Sequence, residues 1–386
     1  MCSGVLENNK TASRAKKTTE RGKIMFFKSI ELINFRNYDR LLLKFDQHIN
    51  IIVGKNGQGK TNILESLYYF AYLKSHRVND DNILIKSSKN AFKIKCKLKR
   101  DVLIDELRIE YNKFNKKILL NQQEISKKSE YLQILNLILF EPSNLEMLKG
   151  APNIRRDYLN DAISKINGNY YNILNDYNKL LKMRNEFLKS KRNDLDYLET
   201  LDKYFVEKAA VIYQMRAKYI SKINEFISKI YYDIMNLNGL KIKYKSFYET
   251  IADKNEIKKQ LIDEMKKNYQ KEKYTGHTIE GPHKDDFIFE IDFQNLKEYG
   301  SQGQQRAAVI SFKFAEAEII KKYKNTNPIF LLDDVFSELD GIRKNNLLKY
   351  IANEYQVILT TTDVTKISKK LLDKANIIKI DTGQVI

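Results

Sequence analysis

The chain has 386 residues, of which 42% are hydrophobic and 30% charged, and its 68 Lys and Arg against 49 Asp and Glu give a formal charge of +19. That balance fits a soluble globular protein of one large domain or two lobes. No run of 18 apolar residues is present to span a membrane, and Cys2 and Cys96 are too few for a disulfide framework, which points to a reducing cytoplasm.

Residues 1–24 are polar and basic, lack the apolar stretch of a secretory signal, and are expected to be a disordered tail, with Met25 a candidate start of the protein. From Phe26, FFKSIELINF and RLLLKF predict strands, and INIIVG predicts a short buried strand. Next comes Gly54-Lys55-Asn56-Gly57-Gln58-Gly59-Lys60-Thr61, which fits GxxxxGK[ST] between that strand and an amphipathic helix, TNILESLYYFAYLKS. In such a loop the glycines let backbone N–H groups wrap phosphates. Lys60 would then neutralise phosphate oxygens and Thr61 would offer a hydroxyl to Mg²⁺. A chance glycine-rich turn is the bland alternative, and the strand–loop–helix context argues against it.

The segments AFKIKCKLK, LIDELRIEY and KKILL alternate apolar and polar residues as half-buried antiparallel strands do, and NLILFEP predicts another strand. From Pro152 to about Lys271 the pattern becomes helical, with KIKYKSF a candidate strand inside it. The spacing predicts one lobe built from 25–151 and 272–386, with an inserted, mainly helical lobe at 152–271. The fold class is therefore α/β.

After the insert come the strand DDFIFEI, then Ser301-Gln302-Gly303-Gln304-Gln305 at the start of an apolar helix, and then the strand PIFLLDD, which ends in Asp333 and Asp334. A helix near 342–352 and the strands QVILTTT and NIIKI complete the pattern. A nucleotide-hydrolysing site needs one carboxylate near Mg²⁺, a role that suits Asp333, and often a second to orient water, which suits Asp334. Neighbouring residues on a strand face opposite ways, so both can serve only where the strand ends. Ser301 and Gly303 at a helix start offer donors to an anion, although Ser301 could equally be an ordinary helix cap. Asp340, in the SELD turn, could likewise cap the next helix. Arg155-Arg156 reads as a solvated or salt-bridged face more readily than as a phosphate contact. His283 beside Asp285 and Asp286 lacks the further ligands of a metal site.

The loop, the SxGQ segment and the acidic strand occur in the order seen in the ATP-binding cassette (ABC) superfamily. The 240 residues from Thr61 to Ser301 are more than a transporter subunit has and too few for the long inserts of SMC and Rad50 proteins. Thr360–Thr362 follow the last core strand, where a transporter carries histidine. From Met25 onward the chain resembles the RecF family of bacterial recombination and gap-repair ATPases. The resemblance rests on FFKSIELINFRNYD, GKNGQGKTNILESLYY, Ser75-His76-Arg77, EPSNLEMLKGAPNIRRDYLN, YNKLLKMRNEFLK, GPHKDD at 281–286, GSQGQQR and LLDDVFSELD. Residues 1–24 have no counterpart in the family pattern, and Lys284 stands where Arg is common.

The resemblance implies an ABC-type ATPase head: a P-loop NTPase core with an antiparallel side sheet and an inserted helical lobe. It implies ATP and Mg²⁺ at Gly54–Thr61, with Asp333 on the metal and Asp334 on the attacking water. Ser301, Gly303 and Gln304 would face the ATP of a second copy, with Asp340 nearby, so that ATP drives homodimerisation. It further implies slow hydrolysis, binding to gapped or single/double-strand junction DNA, and cooperation with RecO and RecR to load RecA. Arg77 is a candidate phosphate or DNA contact. Other readings are a nuclease of OLD type gated by its ATPase head, another SMC-like ABC ATPase, and a membrane-transport energiser.

Overall fold

The computed structural model describes residues 25–190, 194–246, 253–335, 346–347, 350–351, 354–367 and 369–386. The expected tail at 1–24, the SELD turn with Asp340 and most of the helix expected near 342–352 lie outside the described residues.

The chain begins with a hairpin of β1 (Met25–Phe35) and β2 (Tyr38–Lys44), and β3 (Ile49–Val53) then runs through the glycine loop into α1 (Lys60–Tyr72). The alternating segments form β4 (Ala91–Arg100), β5 (Leu103–Asn112), β6 (Asn115–Leu120) and the short β7 (Gln123–Glu124). They are followed by α2 (Lys128–Tyr131), β8 (Leu137–Phe140) and α3 (Glu146–Lys149). The helical stretch comprises α4 (Pro152–Ile166), α5 (Gly168–Lys189), the long α6 (Leu195–Met235) and, after β9 (Leu240–Lys245), α7 (Lys254–Thr275). Then come β10 (Asp286–Ile291), β11 (Gln294–Asn295), α8 (Leu296–Tyr299), α9 (Gln302–Lys324), β12 (Ile329–Asp333), β13 (Val357–Thr361), β14 (Asn376–Asp381) and β15 (Gln384–Val385).

Local chemistry sets the helix ends. Pro152 opens α4, where its missing N–H has no partner to lose. The side chains of Asn167 and Asp194 accept first-turn amides of α5 and α6. Gly276 closes α7 in the left-handed region at φ 68°.

Among the described residues three sheets result. The antiparallel side sheet has the order β2-β1-β4-β5-β6-β7 and the small sheet β11-β10-β9, while the central sheet runs β15-β14-β3-β13-β12-β8. In the central sheet β14, β3, β13, β12 and β8 are mutually parallel. Strands β3, β13, β12 and β8 are buried on both faces, which is why they read as unbroken apolar runs, whereas β14 alternates and β15 is exposed. Ile51, Leu359, Phe330, Leu332 and Phe140 face the core shared with α6 and α9. Ile52, Ile358, Ile329, Leu331 and Leu139 face the core shared with α1 and the side sheet. The side sheet shows the alternating burial expected of one packed face. Gln356 joins the two layers, donating to Phe27 O (2.9 Å) and accepting from Phe27 N (2.8 Å).

Candidate functional site

The loop 54–59 leaves the carboxyl end of β3, and two strands away in the same sheet β12 ends at Asp333, with β13 between them. The carboxyl ends of parallel strands are where open α/β sheets place their ligands. Gly57 and Gly59 adopt φ 81° and 98°, backbone that side chains rarely tolerate. At Gly59 a Cβ would also meet Asn37 Nδ2 and Tyr38 Oη at 2.6 Å. Gly59 is the N-cap of α1 and supplies no side-chain cap, so first-turn amides keep donors for an anion.

Lys60 is buried, and its Nζ donates to Gly54 O (2.6 Å) and Lys55 O (2.8 Å), holding the ammonium over the loop. Burial lowers its pKa, while the charges of Asp334 and Asp333 work in the opposite direction. Gln58 Oε1 accepts from Thr382 N, which ties the loop tip to the turn before β15.

Thr61 Oγ1 donates to Asp333 Oδ1 at 3.2 Å, and Thr360 Oγ1, from the intervening β13, donates to the same oxygen at 2.6 Å. Asp334 N in turn donates to Thr360 Oγ1 at 3.1 Å. Asp334 has φ 50°, so the backbone leaves its extended course at the residue after β12 ends. Asp334 thus lies just past the strand end, and its charge, like that of Asp333, acts on the Lys60 ammonium. A buried ammonium, unfilled amide donors and a hydroxyl–carboxylate pair together suit a polyphosphate with a divalent cation.

Several neighbours were not legible as site residues. Tyr38 Oη donates to Gly59 O (3.0 Å), and Asn62 Nδ2 donates to Asn37 Oδ1 (2.9 Å), so the β1–β2 turn walls the loop. Glu65 on α1 accepts from Arg36 Nε (2.8 Å) and Nη2 (2.6 Å), from Ser75 Oγ (2.6 Å) and from Arg77 Nη1 (3.4 Å). Burial pushes the Glu65 carboxyl up, but these donors and charges more than offset it and hold the pKa below the ordinary value. Glu141 follows Phe140, which pairs with Leu332, so it lies level with Asp333; its pKa is raised, chiefly by burial. His76 Nε2 is 3.3 Å from Glu141 Oε2, yet neither ring nitrogen makes an aligned hydrogen bond. The RNYD and SHR strings carry Arg36, Asn37, Tyr38, Ser75, His76 and Arg77, but only the packing around α1 brings them to Asn62, Glu65 and the loop.

Among the described residues no hydrogen bond joins Ser301, Gly303 or Gln304 to 54–61. Ser301 is the N-cap of α9 in a reciprocal capping box, with Gln304 N donating to Ser301 Oγ (3.3 Å) and Ser301 N to Gln304 Oε1 (2.9 Å). Gln305 is buried and donates to Leu296 O, Lys297 O and Gly300 O, binding α8 to the start of α9.

The arginine pair is internal. Arg155 forms a bidentate pair with Asp286 (2.6 and 2.8 Å), and Arg156 Nη1 donates to Asp285 O (2.7 Å). His283 Nδ1 meets Tyr177 Oη at 2.6 Å and Nε2 meets Thr278 O at 3.1 Å, so the GPHKDD segment is a structural hub linking α4, α5 and β10. Among the described residues no group of three or more His, Cys, Asp or Glu is arranged to hold a metal, and no helix is long and apolar enough to cross a membrane.

Residues 26–383 match the sequence model described as the RecF/RecN/SMC N-terminal domain. The chain is 36% identical over 368 residues to the DNA replication and repair protein RecF of Ligilactobacillus salivarius, covering 94% of this chain and 97% of the relative. It is 38% identical over 365 residues to the protein of that name from Clostridium kluyveri, covering 94% and 99%. Among solved structures, the recombination mediator protein RecF bound to ATP superposes with a TM-score of 0.87 at 31% identity, covering 95% of this chain and 98% of that one. The Smc head domain of Pyrococcus furiosus, at 17% identity and a TM-score of 0.54, shares the fold.

Proposed function

The chain belongs to the RecF family, within the RecF/RecN/SMC group of ATPase heads, and from that premise we propose that it is an ATP-dependent DNA-binding protein of replication and recombinational gap repair. ATP occupies the loop Gly54–Thr61, with Lys60 on the terminal phosphates. Mg²⁺ is held by Thr61 and Asp333, and Asp334 orients the attacking water. The observation that carries this reading is the Thr61–Asp333–Thr360 set beside the Lys60 ammonium, which supplies the hydroxyl, carboxylate and cation that phosphoryl transfer requires. The tight approach around Gly59 supports the same reading, since a Cβ there would fill the cradle.

Ser301, Gly303 and Gln304 then complete the ATP site of a second copy, because among the described residues no hydrogen bond joins them to the loop of their own chain. ATP drives homodimerisation on gapped or junction DNA, the protein acts with RecO and RecR to load RecA, and slow hydrolysis resets the switch. On this reading the ATPase lobe is 25–151 with 272–386, and 152–271 is the inserted helical lobe.

The test is solution mass by light scattering with and without ATP·Mg²⁺, using Asp334→Asn to slow turnover. A monomer that becomes a dimer only with ATP, and then binds gapped DNA without cutting it, supports the proposal. An unchanged mass with both ATP and gapped DNA present overturns the shared-site mechanism. Cleavage of the DNA would favour the nuclease reading instead.

A further inference from the structure

The hairpin between β10 and β11 turns in two residues, Asp292 and Phe293, flanked by the pair Ile291↔Gln294. Both turn residues are left-handed, with φ 49° and 66°. That is the backbone of a type I′ turn, which favours Asn or Asp followed by Gly. Asp292 suits it. Phe293 does not: a bulky aromatic with positive φ is an outlier, and here its side chain is 94% exposed. Backbone strain and the exposure of apolar surface to water both act against the isolated chain, and strain kept in this way marks a functional constraint.

The turn is also held rigidly. Phe287 of β10 stacks on Phe312 of α9 with ring centroids 5.8 Å apart and planes 3° apart, and Phe289 meets the same ring at 5.9 Å. Beyond the hairpin, Gln305 binds α8 to the start of α9 through three carbonyls. The hairpin, α8 and the Ser301 end of α9 therefore form one unit, and Tyr299, two residues before Ser301, is itself 70% exposed. Two exposed aromatics on a rigid mount beside the helix start have the character of interface anchors.

We propose that Phe293, assisted by Tyr299, is an apolar anchor of the contact between two copies of this chain. The inference rests on the reading that Ser301 and Gly303 face the ATP of a second copy, which turns this same unit toward that copy. Burial in the partner would offset both the exposure and the strain.

The test compares dimer dissociation constants by sedimentation equilibrium with ATP·Mg²⁺, all in the Asp334→Asn background. Phe293→Gly relieves the strained turn, so its thermal midpoint should rise by about 1 °C, while the dimer should weaken about tenfold or more. The two effects have opposite signs, which a purely structural residue would not produce. Tyr299→Ser should weaken the dimer by a smaller factor. An unchanged dimer constant for Phe293→Gly, with Ser301→Arg monomeric, overturns this inference and leaves the shared-site reading standing. A weakened dimer for Phe293→Gly with Ser301→Arg unaffected supports the anchor and overturns the signature role. A parent protein that stays monomeric with both ATP and gapped DNA present overturns both. Loss of DNA affinity at an unchanged dimer constant would overturn the anchor in favour of a nucleic-acid contact.

Discussion

The starts of α1 and α9 both carry glycine and polar residues, and their chemistry differs. At α1 the cap is Gly59, left-handed and without a side-chain cap, so the donors of the first turn stay available beside a buried lysine. At α9 the cap is Ser301, and its hydroxyl and the Gln304 amide satisfy each other in a capping box on an exposed surface. The first offers the unfilled donors an anion would need, all from one chain. At the second, the box already fills the Gln304 and Ser301 amides, so a phosphate brought from outside would meet the Gln302 and Gly303 N–H groups and could gain the others only by displacing the box. The same principle of unfilled backbone donors thus leaves donors standing in one place and partly filled in the other.

Substitutions should separate the two. Lys60→Ala is expected to weaken ATP binding about a hundredfold, the loss of a charged donor, in a calorimetric titration. Ser301→Arg should leave that affinity within about twofold and remove the ATP-dependent dimer; equal losses of affinity in both variants would erase the distinction. Asp334→Asn should keep ATP affinity while turnover falls by about 10²–10³, the scale of a lost proton acceptor or water-positioning group, in single-turnover assays. Glycine replacements give the next contrast. Gly59→Ala, at φ 98° and with contacts at 2.6 Å, should cost about 1–2 kcal/mol or more in urea unfolding. Gly303→Ala lies inside α9 and should raise stability by up to about 1 kcal/mol, so that any loss of dimer there would be functional.

The smallest effect is a pH dependence. Burial depresses His76 and His283 to about 4 from an ordinary 6.5. The unfolded chain takes up these protons as pH falls through 6.5, whereas the folded chain resists until about 4. Stability contributed by the two neutral imidazoles is therefore fully present above pH 6.5 and is lost as pH falls from there toward 4. Thermal melts between pH 7.5 and 4.5 should decline over that window, and less steeply for His76→Gln. The second contrast is between the two histidines. His283 is held by Tyr177 and Thr278, so its replacement should also lower stability at neutral pH, whereas His76 makes no aligned bond to lose.

What the sequence by itself determined is what contiguous residues fix. The glycine spacing at 54–59, the doubly buried strands and the alternating side-sheet strands each follow from chemistry within a few residues. So does the end of β12 at Asp333. The strand expected at KIKYKSF and the helices after Pro152 form for the same reason. Only the tertiary structure decided which distant residues meet. Thr61 and Asp333 lie 272 positions apart and are joined because β13 places Thr360 between them, an outcome of strand order rather than of local propensity. Arg155 and Arg156 read in the sequence as a solvated or salt-bridged face; Arg155 is salt-bridged, and its partner, Asp286, with the Asp285 carbonyl that takes Arg156, is supplied because α4 packs on β10. Glu65, Arg36 and Glu141 entered the site unannounced. A buried charge is stable only with partners, and no local pattern encodes partners that the sheet brings from elsewhere in the chain.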